Sequence, residues 1–148
     1  MFTYSIFYRQ PMAALRWLEQ AFGFELTLLI EGPDGDQRFM HSEMAFQGQG
    51  RLMIGGEWAE WARSPASIGG SNTQDVRVQL SSGIDAHCER ARAAGAAIVV
   101  EPKTEFYGDR IYRCRDLEGH HWTFAEQVQK LTVAEMEQAG GVKFKSSF

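Results

Sequence analysis

The feature that most constrains this chain is a pattern it runs through twice. Thr3 to Tyr8 is rich in β-branched and aromatic residues and predicts a strand. Pro11 suits a first helical turn, and Ala14, Leu15, Leu18, Ala21 and Phe22 then recur at helical spacing up to Gly23. Phe24 to Ile30 predicts the next strand. The same order returns with a strand over Asp75 to Leu80 and a helix over Ile84 to Ala94 carrying Ile84, Cys88 and Ala91 on one face. Gly95 and a strand over Ala96 to Val100 follow. Ala21-Phe22-Gly23-Phe24 sets against Ala93-Ala94-Gly95-Ala96 without a gap, and the register places Thr3 against Asp75, Ser5 against Arg77 and Ile6 against Val78. An internal duplication fixes architecture before any single motif does.

Each copy continues in short strands. Arg38 to Phe46 and Arg51 to Ile54 are split by the Gln47–Gly50 turn. Arg110 to Arg115 and Trp122 to Gln127 are split by Leu117-Glu118-Gly119, with a further turn at Pro102 to Gly108. These connections are hairpin-sized, which argues against a doubly wound sheet and for an α+β fold of two βαβββ modules. The expected organisation is one domain over residues 1–127, with modules of about 1–56 and 73–127. The loop 57–72, which holds Trp58 and Trp61, joins them and is a candidate lid. Residues 128–148 form a tail. Thr132-Val133-Ala134-Glu135 matches a capping box, so a short helix over Glu135 to Ala139 is expected, ended by Gly140-Gly141.

Composition narrows the function classes. A chain of 148 residues can bury a core without staples, and a net charge of −4 lacks the basic footprint of a nucleic-acid binder or a polybasic membrane patch. No apolar run reaches a membrane span, and the amino terminus lacks a signal-peptide pattern, so a cytoplasmic protein is expected. Cys88 and Cys114 have neither metal-ligand nor CxxC spacing and read as reduced packing residues.

The run Tyr107-Gly108-Asp109-Arg110-Ile111-Tyr112-Arg113-Cys114-Arg115-Asp116-Leu117-Glu118-Gly119-His120-His121-Trp122 resembles the "GDR…RxRDxxGHxW" signature of PhnB-like glyoxalase-like proteins. Leu15 to Gly23 is similar to that group's first helix, and Phe39 to Met44 to its "MHAEL" strand. The resemblance covers about residues 3 to 127, in order, and points to the vicinal-oxygen-chelate superfamily of glyoxalases, bleomycin-resistance proteins and ring-cleaving dioxygenases. It implies two modules forming a curved mixed sheet around a cleft, and a homodimer, as in many relatives.

Metal-dependent members of that superfamily hold a divalent ion with four side chains from four strands. Carried over by register, these positions fall near Thr3, Met53, Asp75 and Thr123, of which only Asp75 is a conventional ligand. The expectation is therefore no metal and no cofactor. A competing set would be His41, Glu43 and His121 with Glu126.

His41 and Glu43, two apart on one strand, face the same side and are candidates, with Asp75, for proton transfer. The alternative is a hydrogen-bonded pair on a wet sheet face. Trp58, Trp61 and Tyr107 are candidate platforms for a planar guest, or else a clasp across a dimer. Arg110 can grip an anion with its planar fork or stabilise its turn with a neighbouring acid. His121 and Thr123 alternate with Trp122 and Phe124, which gives that strand a polar, cleft-facing side and an aromatic side against the helices. Arg77, Arg113 and Arg115 are either a solvated face or an anion cluster.

Two functional readings result. The first is a binding protein that takes a small aromatic or apolar molecule without altering it, with a small-molecule ligand and no nucleic-acid or membrane partner. The second is a metal-independent or atypical-metal lyase, isomerase or dioxygenase-like enzyme on a small metabolite. A third, weaker possibility is a partner-binding role with a vestigial pocket. Fold-level likeness alone does not choose among them.

Overall fold

The computed structural model describes residues 2–147; Met1 and Phe148, the outer ends of the expected domain and tail, lie outside the described residues. The first module runs β1 (Tyr4–Tyr8), α1 (Pro11–Phe22), β2 (Phe24–Ile30), β3 (His41–Phe46) and β4 (Gln49–Gly56). The second runs β5 (Asp75–Leu80), α2 (Ile84–Ala93), β6 (Ala97–Thr104), β7 (Asp109–Arg115) and β8 (His121–Gln127), and α3 (Val133–Gly140) follows. The sheets have the same topology, β1-β4-β3-β2 and β5-β8-β7-β6. In each, the first strand lies parallel to the last and the other pairs are antiparallel. The chain is thus α+β with two βαβββ modules, and the repeat extends to the ladder: Ser5 pairs with Met53, and Arg77 with Thr123.

Strand alternation sorts side chains onto two faces. Ile6, Tyr8, Met44, Leu52 and Ile54 of the first sheet point into a core shared with Trp122, Phe124, Tyr112 and Cys114 of the second. Phe22 sits at the centre, its ring 5.1 Å from Trp122 and 4.7 Å from Phe124. A fully buried aromatic of this kind contributes about 1.5–3 kcal/mol through area burial.

Helix α1 is held at both ends by the other module. Gln10 gives it no side-chain cap. Instead the amides of Arg9 and Gln10 donate to the two carboxylate oxygens of Glu118 at 2.7 and 2.9 Å, just before the helix, where a negative charge is favoured. At the other end the Arg90 guanidinium donates to the carbonyls of Glu19 and Gln20, both at 2.7 Å. His87 Nε2 donates to Phe22 O at 2.9 Å, so its Nδ1 accepts from the Tyr112 hydroxyl at 2.7 Å. Gly23 closes the helix at φ 77°, and a side chain there would press on the Arg90 guanidinium.

A second buried network crosses the same boundary. Asp116 accepts from Tyr8 Oη at 2.6 Å, Trp122 Nε1 at 3.1 Å and the His120 amide at 3.0 Å, while His120 Nδ1 lies 3.1 Å from its carboxylate. His120 Nε2 donates to Phe7 O at 3.0 Å. Burial pushes the Asp116 carboxyl up, but the hydrogen bond and charge of His120 and the Tyr8 and Trp122 donors outweigh it and hold the group below its ordinary value.

Several boundaries differ from the sequence expectation. The strand expected from Arg38 begins only at His41, because Asp36 accepts the Arg38 amide and ion-pairs its guanidinium at 2.6 Å, winding Gln37–Phe39 into a 3-10 turn. β6 continues beyond Val100 through Pro102 to Thr104. It is an edge strand whose register shifts between Val100 and Lys103, which is where a strand tolerates proline. The joining segment is pinned, since Ser64 Oγ donates to Glu118 at 2.5 Å and Ala62 is fully buried. α3 spans Val133–Gly140 with the expected Thr132–Glu135 capping box. No helix among the described residues is long and apolar enough to cross a membrane.

Candidate functional site

The most aromatic opening lies where β1 meets the joining segment. Ser5 and Phe7 point away from the core, toward a groove of about 480 Å³ closed by Trp61, Ile68, Asn72 to Gln74 and His121. Trp61 stands edge-on to Phe7 at 5.5 Å and to Trp58 at 5.1 Å. Trp61 remains 69% exposed, so its indole is held by two aromatic neighbours yet open to solvent. The Tyr4 hydroxyl donates to the Gln74 side chain and ties β1 to the groove's far wall. The segment Glu57–Ile68 reaches this position because Glu57 accepts the Ser64 amide at 2.9 Å and Ser64 is anchored on Glu118.

A second groove of about 490 Å³ opens between the modules near the β3–β4 hairpin. Its floor is apolar (Phe24, Met44, Leu52, Val76, Val78), and Arg51 and Arg77 stand on its rim.

The sequence-predicted residues fall into separate groups. His41 and Glu43 share the outward face of the first sheet, with His41 Nε2 3.7 Å from Glu43 and Arg51 Nε 3.4 Å from the same carboxylate. Asp75 lies on the second sheet and accepts the Thr123 hydroxyl at 3.0 Å, so it is not gathered with His41 and Glu43. His121 and Thr123 share the face of β8 opposite Trp122 and Phe124, which point into the core; His121 lines the groove, whereas Thr123 is buried and lines neither groove. Tyr107 packs on Phe106 in the β6–β7 turn at 5.2 Å and lines neither groove. Arg110 is on the core side of β7, bound by Nε and Nη2 to Asp85 of α2 at 2.7–3.2 Å. Among the described residues no three His, Cys, Asp or Glu side chains converge as a metal cage requires. Glu126, of the competing metal set, is engaged by the Ile84 amide at the start of α2.

Sequence reasoning did not single out Phe7, Ile68 or Asn72 to Gln74. Phe7 had a readable signal, because it alternates with the core residues Ile6 and Tyr8 on one strand. The others are brought in by the path of the joining segment, which has no periodicity to read.

The sequence model of the Glyoxalase/Bleomycin resistance protein/Dioxygenase superfamily matches residues 2–124, which span both modules and the segment between them. The chain belongs to this superfamily. Among solved members of similar fold, TioX from Micromonospora sp. ML1 is 32% identical, with a TM-score of 0.67 over 85% of this chain and 97% of that one. TnmS3, an antibiotic binding protein from Streptomyces sp. CB03234, is 21% identical with a TM-score of 0.63 over 84% and 93% of the two chains, a likeness of fold. An uncharacterized protein of Mycobacterium bovis (strain ATCC BAA-935 / AF2122/97) is 29% identical over 118 residues, covering 74% of this chain and 72% of its own length. As in other members of so varied a superfamily, the chemistry has to be argued from the site.

Proposed function

We propose that this superfamily member binds a small aromatic or apolar molecule in the groove between β1 and the joining segment and releases it unaltered. The observation that carries the reading is the wall formed by Phe7 and Trp61, whose rings meet edge-on and whose indole is open to solvent, while Trp58 lies outside the groove lining and packs edge-on against Trp61. Such a wall offers apolar area at low entropic cost because the rings are already ordered. Ile68 adds an aliphatic lip, and Ser5, Asn72 and His121 supply polar groups that can orient a guest. TnmS3, an antibiotic binding protein, shares this fold, and that likeness supports a binding role.

The chemistry of the donor set supports a binding role without a resident metal. Of the four register positions, Thr3 and Met53 carry a hydroxyl and a thioether, and the Thr123 hydroxyl is spent on Asp75. A single carboxylate falls short of the three or four ligands a divalent ion needs. We also propose a homodimer, supported by the exposure of Leu28, Ile30 and Phe39 at one margin of the first sheet.

Titration with N-phenyl-1-naphthylamine, a neutral aromatic fluorophore, tests the proposal. Saturable binding at one site per chain, weakened at least tenfold in Trp61→Ala, is expected, with the probe recovered unchanged. Binding that does not saturate, or that is indifferent to Trp61, refutes it.

The contact of Glu43 with both His41 and Arg51 favours the enzymatic reading as second choice, with proton transfer on the open face of the first sheet. Turnover of a small metabolite that vanishes in Glu43→Gln would establish it.

A further inference from the structure

Five arginines lie on strands: Arg51, Arg77, Arg110, Arg113 and Arg115. Three are matched by acids, Arg51 with Glu43, Arg77 with Asp109 at 2.5 Å and Arg110 with Asp85 at 2.7 Å. Arg113 and Arg115 are exposed, and among the described residues neither forms an ion pair or a side-chain hydrogen bond. They are two apart on β7 and therefore on one face, the outward one. Their cross-strand partners on β8 are Thr123 and His121. Two like charges set side by side on a sheet face repel each other, a cost that a bound anion would reverse.

The location gives the pair a use. Arg113 and His121 line a shallow depression together with Asn72, Thr73 and Gln74, and the last three and His121 also line the aromatic groove; Arg115 lies just outside the depression, opposite His121 on β8. The two spaces are therefore continuous through His121. Asp75 also borders the depression, but it is the partner of His121 on the far side, on β5, and its carboxylate is engaged by Thr123. Its backbone is two strands from β7, at about 4.8 Å per strand, but its carboxylate is bonded to Thr123, the β8 partner of Arg113, so one acid shares the depression with Arg113 and leaves Arg115 the arginine farther from it.

We infer that the ligand of the aromatic groove carries an anionic substituent, a carboxylate, sulfonate or phosphate, which Arg113 holds beside His121, with Arg115 flanking from the next outward position on β7, while the aromatic part lies against Trp61 and Phe7. This rests on the groove being the ligand site, as proposed above. The planar forks of two guanidiniums match such oxyanions better than ammonium groups would.

The test compares two probes of similar ring system at fixed ionic strength, the neutral N-phenyl-1-naphthylamine and the sulfonated 8-anilino-1-naphthalenesulfonate. The sulfonated probe should bind at least about tenfold more tightly, equivalent to about 1.4 kcal/mol. In the Arg113→Gln, Arg115→Gln double variant that advantage should disappear while the dissociation constant of the neutral probe stays where it was. A sulfonated probe that binds no better than the neutral one, or keeps its advantage in the double variant, overturns the inference while leaving the aromatic groove intact. If neither probe binds, the groove reading has failed, and the anion site is judged alone from the arginine Nε–Hε NMR resonances during titration with inorganic sulfate. Saturable movement of the Arg113 and Arg115 signals supports the site, and their immobility overturns it.

Discussion

The Tyr8 hydroxyl donates to Asp116 at 2.6 Å across the boundary between the modules, and both side chains are buried. Removing one partner of such a contact leaves the other without its match in a medium that cannot replace it. Tyr8→Phe should cost about 1.5–3 kcal/mol, the range for hydrogen bonds to charged groups. Asp116→Asn should cost about 3–5 kcal/mol, because His120 Nδ1 also loses its carboxylate. Urea unfolding of the two variants measures both, and a Tyr8→Phe protein as stable as the parent would contradict the network's weight.

The same carboxylate makes stability depend on pH. Asp116 is held below its ordinary value in the folded chain, so protons bind the unfolded chain more readily. Its contribution is complete above the unfolded pKa of about 3.9 and is lost as pH falls through the lower folded value. The stability difference between parent and Asp116→Asn should therefore narrow below about pH 4. Unfolding curves at pH 6, 4 and 3 should show that convergence; curves that stay parallel would assign the pH dependence to other groups.

Both thiols should be inert in the folded protein. Burial pushes Cys88 up to about 11 and Cys114 higher still, so neither supplies thiolate near neutrality. Dithionitrobenzoate at pH 8 should find no reactive thiol in the native chain and two in urea, the number in the sequence. Rapid native labelling would mean that the core between α2 and β7 opens.

Gly108 is the point where the tail is fastened. Its φ is +96°, and a Cβ there would collide with the Gln129 carbonyl, while its own carbonyl accepts the amides of Val128 and Gln129 at 3.0 Å. Gly108→Ala should cost about 1–3 kcal/mol from backbone conformation alone. Hydrogen exchange at Val128 and Gln129 should accelerate, reporting release of the segment that leads into α3.

Arg110 and Trp61, both sequence candidates for ligand contact, should separate in a binding assay. Arg110→Gln breaks an ion pair with α2 on the core side of its sheet and should leave probe affinity unchanged, whereas Trp61→Ala should weaken it at least tenfold. Equal losses in both would mean that the ligand reaches the turn before β7.

The fold was legible because it is written twice at two periods. The Ala21–Gly23 and Ala93–Gly95 helix ends, and alternation such as Trp122 and Phe124 against His121 and Thr123, are local patterns that survive into the tertiary structure. The candidate site was legible only in part. Trp61 stood out by residue type, but alternation could not say whether Asp75 of the second module would approach His41 and Glu43 of the first, because that depends on how two modules dock. Nor could it give Arg110 its partner, since Asp85 is reached across a helix–sheet contact rather than along a strand. The Asp116–His120 and Glu118 networks escaped notice because a turn sequence such as Asp-Leu-Glu-Gly-His reads as solvent-facing until something is packed over it.

The borrowed capping of α1 has a consequence for how the molecule can be taken apart. Glu118 serves its first turn, and Arg90 and His87 its last, so the half that contains the helix does not contain its fasteners. A fragment ending within the joining segment would hold a frayed helix over an uncovered sheet, and neither half would be an autonomous unit. The duplicated ancestry is therefore visible in the shape but erased from the thermodynamics: the repeats should melt together as one cooperative transition, and two separately produced halves should find order only by recombining.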